Sequence, residues 1–72
     1  MSELILKIYQ TIGQGNSISL DSTKYTVNQL KKFASMLGTN TGNMKLQNCN
    51  HLSKLDLSYL SNISKKKIVF EF

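Results

Sequence analysis

The sequence predicts an α/β fold in which a β-hairpin precedes two right-handed βα repeats, in the order ββαβαβ. Two observations carry the prediction. Short apolar-x-apolar segments begin at Ile18, Met44 and Ile68, at intervals of 26 and 24 residues, and a helical pattern follows the first two. Intervals of this length are typical of stacked βα units. The predicted product is a four-stranded mixed sheet with both helices on one face, because right-handed crossovers make the last three strands parallel.

The hairpin is predicted over residues 4–20. Residues 4–12 are rich in β-forming side chains, and Leu4, Leu6 and Ile8 alternate with their neighbours. A turn signal, Gly-Gln-Gly-Asn, occupies residues 13–16. The alternating segment 17–20 then pairs back as the second strand.

The first βα repeat is predicted over 18–37. Thr26 and Gln29 have the spacing of a capping box at a helix N-terminus. Gly38 is expected to end the helix as a left-handed C-cap. Between these signals the apolar residues recur at helical spacing, as Val27, Leu30, Phe33, Ala34 and Leu37.

The second βα repeat is predicted over 44–63. Ser53 and Asp56 repeat the capping spacing, and an apolar stripe follows. Lysines 65–67 close the helix, where positive charge meets the negative end of the helix dipole. Residues 68–72 form the final strand, so that one domain spans 1–72.

Composition limits the classes of function. The net charge is +5, and all nine basic residues are lysine, so bidentate recognition of phosphate or guanine by arginine is excluded. Abundant Lys, Asn, Ser and Ile are typical of A/T-rich coding, which favours a phage or low-GC bacterial source. Cys49 is the single cysteine and has no partner in the chain for a disulfide. We expect no metal and no cofactor.

The cellular location is predicted from two further patterns. No apolar run approaches the roughly 20 residues of a membrane-spanning helix. The N-terminus lacks the basic segment and apolar stretch of a signal peptide. We therefore expect a cytoplasmic protein.

One segment resembles a known repeat family. Residues 44–52, Met-Lys-Leu-Gln-Asn-Cys-Asn-His-Leu, are similar to the strand and turn of a cysteine-containing leucine-rich repeat. Residues 18–25 match more loosely, with Thr23 in the cysteine position. The resemblance covers about 17–63. It implies that Cys49 turns inward to bond the loop backbone, and that the sheet surface opposite the helices binds a partner.

That sheet surface is the first candidate site. In the predicted sheet one face meets both helices, while the other has nothing left in the chain to cover it. Parallel sheets are usually covered on both faces, so the polar face is a candidate contact surface. Its expected partner-binding residues are Lys7, Tyr9, Ser17, Ser19, Lys45, Gln47 and Glu71.

The two loops after the repeat strands are an alternative site. They lie at the carboxyl ends of parallel strands, next to helix N-termini, where α/β proteins bind anions. In this hypothesis the chain is a sponge or sensor for a small anionic ligand such as a nucleotide. The residues expected to bind it are Ser22, Thr23, Lys24, Asn48, Asn50 and His51.

The catalytic classes receive little support from the sequence. The four carboxylates do not form a convincing acid–base pair, and Cys49 with His51 lacks a third group to orient the histidine. We therefore expect a non-enzymatic protein-binding module that self-associates, such as a phage-encoded inhibitor of a host system. A basic nucleic-acid-binding accessory protein is a further alternative, because lysines 31, 32 and 65–67 could form a cationic surface.

Overall fold

The computed structural model describes residues 3–72 as alternating helices and strands. Two residues of the predicted domain, 1 and 2, lie outside the described part. Each strand follows a helix, and a short 3₁₀ turn follows each of the first two strands. The elements are α1 (Glu3–Gly13), β1 (Ile18–Asp21), α2 (Val27–Gly38), β2 (Met44–Gln47), α3 (Lys54–Ile63) and β3 (Ile68–Phe70).

The sheet has three strands in the order β1-β2-β3, and both pairs are parallel. The register places Ile18 beside Met44 and Met44 beside Ile68. The predicted four-stranded mixed sheet is therefore wrong, and so is the ββαβαβ order. Among residues 3–72 there is no antiparallel pair, because the segment expected as the first strand is a helix.

Helix α1 replaces the first strand of the expected hairpin. Its buried residues are Ile5, Ile8 and Ile12, the i, i+3, i+7 spacing of one helix face. The alternation of Leu4 and Leu6 with their neighbours is incidental, since both side chains are exposed. Burying three isoleucines stabilises a helix by about 1.5–3 kcal/mol for each side chain, which outweighs the β-propensity of this segment.

The helices cover one face of the sheet. Burial along β2 alternates, with Met44 and Leu46 inside and Lys45 and Gln47 exposed. Helix α1 contacts both α2 and β1, and α3 contacts α2. Phe33 of α2 is fully buried at the centre of this layer. The rings of Tyr9 and Tyr25 meet Phe33 edge-on, each at 5.5 Å between ring centroids.

Helix ends follow the sequence signals in part. The predicted capping box is present at α2, where Thr26 accepts from the Gln29 backbone and the Gln29 side chain accepts from the Thr26 backbone. Ser53 caps α3 by accepting from the Asp56 backbone N–H. The expectation of a left-handed cap at Gly38 is wrong, since Gly38 is the last helical residue and Thr39 is the C-cap.

The chain therefore consists of three αβ units: α1 with β1, α2 with β2, and α3 with β3. Buried positions recur along them, because Ile5, Ile8 and Ile12 of α1 precede Leu30, Phe33 and Leu37 of α2 by 25 residues each. No helix within residues 3–72 combines the length and apolarity that a membrane crossing requires.

Candidate functional site

The sheet side that the helices leave uncovered is the first candidate site, and we call it the open sheet face. Ser19 lies on β1, Lys45 on β2 and Val69 on β3, side by side in the register of the sheet. Val69 leaves 59% of its surface exposed, which is a large fraction for an apolar residue in a strand. The exposed side chains of this face are Ser17, Ser19, Asn43, Lys45, Gln47, Val69 and Glu71.

Five of the seven residues predicted for this face lie on it, and two do not. Lys7 and Tyr9 belong to α1, because the segment that carries them is a helix rather than a strand. Lys7 is exposed on that helix, whereas Tyr9 packs against Phe33. These two residues are therefore removed from the predicted sheet surface.

A shallow groove crosses the open sheet face near the start of the strands. Its walls include Asn43 and Ile18, which were not among the residues predicted for the site. The signal for Asn43 was its position directly before β2, level with Ser17 before β1. The Ser17 hydroxyl accepts a hydrogen bond from the Asn43 backbone N–H at 3.2 Å, which fixes this rim of the groove.

Charge on the open sheet face is arranged as one loose ion pair. The Lys45 Nζ and Glu71 Oε2 atoms lie 4.0 Å apart, and both side chains are about half exposed. An exposed pair at this distance contributes little to stability. Both charges are therefore available to a partner at a small cost.

The loops at the carboxyl ends of β1 and β2 meet, as the alternative site requires. Ser22 is fully buried, and its hydroxyl donates to the Asn48 carbonyl oxygen at 2.8 Å. The Ser22 hydroxyl oxygen also lies 2.9 Å from Nε2 of His51, whose side chain is on the surface. Since a hydroxyl has one proton, and it points to Asn48, His51 is the donor in the second contact.

This hydrogen-bond direction determines what the loops can do chemically. With the Ser22 proton directed to the Asn48 carbonyl oxygen, the hydrogen bond from nucleophile to base that such catalysis uses is not formed in this arrangement. The Cys49 thiol is also buried and donates to the Leu46 carbonyl oxygen at 3.1 Å. Burial raises the pKa of this thiol, which keeps it protonated and unreactive near neutral pH.

The other predicted loop residues serve local structure. The Thr23 hydroxyl and backbone N–H both donate to the Asp21 carboxylate, at 2.6 and 3.0 Å. These hydrogen bonds, the hydroxyl first, lower the pKa of Asp21. The Asn50 side chain donates to the Phe72 carbonyl oxygen at 3.2 Å, and Lys24 is exposed. In the first loop the buried position is held by Ser22, not by Thr23, which the repeat alignment placed there.

The lysines expected to form a cationic surface have separate roles. Lys31 lies over the ring of Tyr59, with 4.9 Å from Nζ to the ring centroid, so α2 and α3 are linked by a cation–π contact. Lys67 donates to the carbonyl oxygen of Leu37, in the last turn of α2, and to that of Asn40, just after the helix. Lys65 and Lys66 are exposed in a turn, with φ of 57° and 63°.

Across residues 3–72, no three side chains among His, Cys, Asp and Glu come together as a group that could hold a metal ion.

The chain was compared with protein-family models, curated proteins and solved structures. No family model matches it, and no curated protein or solved structure is significantly similar to it.

Proposed function

We propose that this chain is a non-enzymatic protein-binding module that engages a protein partner through the open sheet face. The observation that carries the proposal is the exposure of Val69 on β3, beside Lys45 of β2 and two residues from Glu71 along the chain. An exposed apolar side chain flanked by polar and charged ones is the composition of a small protein-binding patch.

The partner's chemistry follows from the same residues. An apolar side chain of the partner would pack on Val69. The groove beside it, between Asn43 and Ser17, offers backbone and side-chain hydrogen-bonding groups. Lys45 and Glu71 already neutralise each other loosely, so a partner that supplies one charge of each sign can replace this pair. The face therefore fits a mixed-charge protein surface better than a uniformly anionic polymer.

The strand-end loops give the non-enzymatic part of the proposal its support. Ser22 donates away from His51, and the Cys49 thiol stays protonated, so the nucleophiles of this region are held in unreactive states. A free buried thiol is also suited to a reducing compartment, which favours the cytoplasm.

The anionic-ligand alternative has weaker support. In its favour, Lys24 and His51 are exposed beside the ends of parallel strands. Against it, the Asp21 carboxylate lies in the same loop, and its lowered pKa keeps it negative at neutral pH. Calorimetry with a nucleotide panel on wild type and the Lys24→Ala/His51→Ala double variant tests this alternative, since heat lost in the variant would favour it.

The sheet-face proposal is tested by immobilising wild type and two variants and identifying the proteins that each retains from a host lysate. The retained partner is then purified, and its binding to each chain is measured. Val69→Asp with Lys45→Glu changes the open sheet face, whereas Lys32→Glu repeats only the lysine-to-glutamate change, on the exposed side of α2. We expect the same protein to be retained by wild type and by Lys32→Glu and to be lost from the face variant. Calorimetry with the purified partner should show the same order. Equal retention by all three chains would contradict the proposal.

A further inference from the structure

Within residues 3–72 the sheet has two edges without a partner strand. We call the row of backbone hydrogen bonds between two neighbouring strands a seam, and the two edges match the two sides of an internal seam. We call the free edge of β1 the start edge and the free edge of β3 the end edge. Within the sheet, Ile18 donates to the Asn43 carbonyl oxygen at 3.0 Å, and Met44 donates to the Lys67 carbonyl oxygen at 2.9 Å. In both seams, residues with core-facing side chains direct their backbone groups toward the next strand.

The same alternation fixes what each edge offers. On β1, Ile18 faces β2, so the backbone groups of Ser19 and Asp21 turn to the start edge. Directly after β3, the Glu71 backbone N–H donates to the Leu46 carbonyl oxygen at 2.8 Å and so faces β2. The backbone groups of Ile68 and Phe70 therefore turn to the end edge. A parallel pair with Ile68 of one copy beside Ile18 of the next would therefore bring matching donors and acceptors together.

Helix α1 lies beside β1 at the start edge. A groove runs between α1 and β1, lined on its apolar side by Leu4, Ile8, Ile18, Leu20 and Tyr25. In the chain, α2 connects β1 to β2 and α3 connects β2 to β3, and the crossover helix of such a unit packs back onto the strands that it joins. Helix α1 is in the corresponding position before β1, but the described residues supply no strand on its other side.

We propose that the strand missing under α1 is β3 of a second copy of this chain, so that copies join head to tail in one continuous parallel sheet. The register of the two internal seams, extended once, places Ile68 beside Ile18 and Phe70 beside Leu20, under α1. Phe70 is half-buried at the end edge, and Leu4 is 55% exposed at the start edge. The seam covers both.

A symmetric pair of start edges does not fit as well. Such a pairing would bring two copies of α1 onto the same side of one seam, where each α1 already lies beside its own β1. The head-to-tail contact uses two different surfaces and therefore repeats from copy to copy. It deepens the proposed function by making a second copy one of the module's partners. It uses the sheet edges rather than the open sheet face, so either can fail alone.

One pair in the seam is unfavourable and provides a test of sign. The extended register sets Glu71 of one copy directly beside Asp21 of the next, and like charges in adjacent strands repel. Glu71→Lys should therefore strengthen association, although it removes the loose contact with Lys45. A seam that did not bring Glu71 to Asp21 would show no such gain.

The experiment is sedimentation velocity across a concentration series, with circular dichroism to verify folding. Ser19→Pro removes a donor at the start edge while leaving the β1–β2 hydrogen bonds, and Phe70→Lys places a charge in the end edge. We expect wild type to grow beyond a dimer, each variant to remain monomeric, and an equimolar mixture of the two to form a 1:1 complex that grows no further.

Two results would overturn the proposal. The first is a wild-type chain that stays monomeric at every concentration, and the second is a Ser19→Pro variant that assembles like wild type. Phe70→Lys that still dimerises alone would replace the head-to-tail seam with a symmetric one. If Phe70→Lys fails to fold, Glu71→Lys decides the question, because weaker or unchanged association contradicts the proposed register. Partner retention by the Phe70→Lys monomer, whose substitution lies off the open sheet face, would show that the sheet-face proposal survives without self-association.

Discussion

The Ser22 hydroxyl oxygen lies 2.9 Å from Nε2 of His51, and this contact joins the two loops at the carboxyl ends of β1 and β2. The two residues are 29 positions apart. Their contact exists because the parallel register brings Asp21 beside Gln47, just before the loops begin. With the hydrogen bond from Ser22 to Asn48, it makes the first two αβ units share one polar connection at this end of the sheet.

Removing that connection should cost stability. Ser22→Ala removes a fully buried hydroxyl and, with it, the hydrogen bonds to the Asn48 carbonyl oxygen and to the ring of His51, two residues exposed at the surface. We expect the free energy of unfolding to fall by about 0.5–1.5 kcal/mol, the net contribution of a typical hydrogen bond. Urea denaturation of Ser22→Ala measures this, with Ser58→Ala as the control, since Ser58 is exposed on α3. Equal midpoints for the two variants would contradict the structural role of Ser22.

The helical state of α1 predicts which of its side chains matter. Ile12 is 0% exposed and Leu6 is 47% exposed, although a strand would not distinguish them in this way. Ile12→Ala should lower the free energy of unfolding by about 2–5 kcal/mol through the cavity it leaves. Leu6→Ala should change it by less than about 0.5 kcal/mol, as exposed positions do. Chemical denaturation of the two variants checks the assignment, and similar losses for both would indicate a strand instead.

The predicted and observed folds differ chiefly in the first αβ unit. From β1 onward, capping residues such as Thr26 and Ser53 and helical spacing such as that of Leu30 and Phe33 locate the elements, because local hydrogen bonds and burial agree there. In residues 4–12, Leu4, Leu6 and Ile8 satisfy the strand period, while Ile5, Ile8 and Ile12 satisfy the helical one. Only tertiary burial separates the two patterns.

A signal for α1 was nevertheless present in the repeat itself. Ile5, Ile8 and Ile12 stand 25 residues before the buried residues of α2, so the helical stripe occurs once more than the strand pattern indicated. The open sheet face was predictable from alternation along β2, since a period of two needs no tertiary information. The contact between Ser22 and His51 was not, because it depends on the loop conformations and on strand register.

Gly38 is required for a close approach between helices. A Cβ atom at this position would collide with the Ile63 carbonyl oxygen of α3, whereas one at Gly13 would meet nothing within 4 Å. Gly38→Ala should therefore destabilise the protein, because backbone cannot move aside cheaply. Gly13→Ala should stabilise it by about 0.5–1 kcal/mol, through the lower entropy of the unfolded chain. If α2 packs on α3 as described, thermal denaturation should show a lower melting temperature for Gly38→Ala and a higher one for Gly13→Ala than for wild type.

The Cys49 thiol reports on unfolding and on alkaline pH. Because the thiol is fully buried and bonded to the Leu46 carbonyl oxygen, a thiol reagent should modify it only when the chain opens. A Cys49→Ala/Val69→Cys variant, with its thiol on the open sheet face, should react at the rate of a free thiol. Equal rates for wild type and this variant would mean that Cys49 is accessible.

The raised pKa of Cys49 gives this residue a defined pH dependence. In the folded state the thiol ionises at a higher pH than in the unfolded chain, because burial disfavours the thiolate. Its contribution to stability is thus complete below about pH 9, the ordinary value, and is lost as the pH rises toward the folded-state pKa. The difference in unfolding free energy between wild type and Cys49→Ala should therefore shrink above pH 9. Denaturant titrations of both chains from neutral to alkaline pH measure this difference, and a constant gap would show that the folded and unfolded thiols titrate alike.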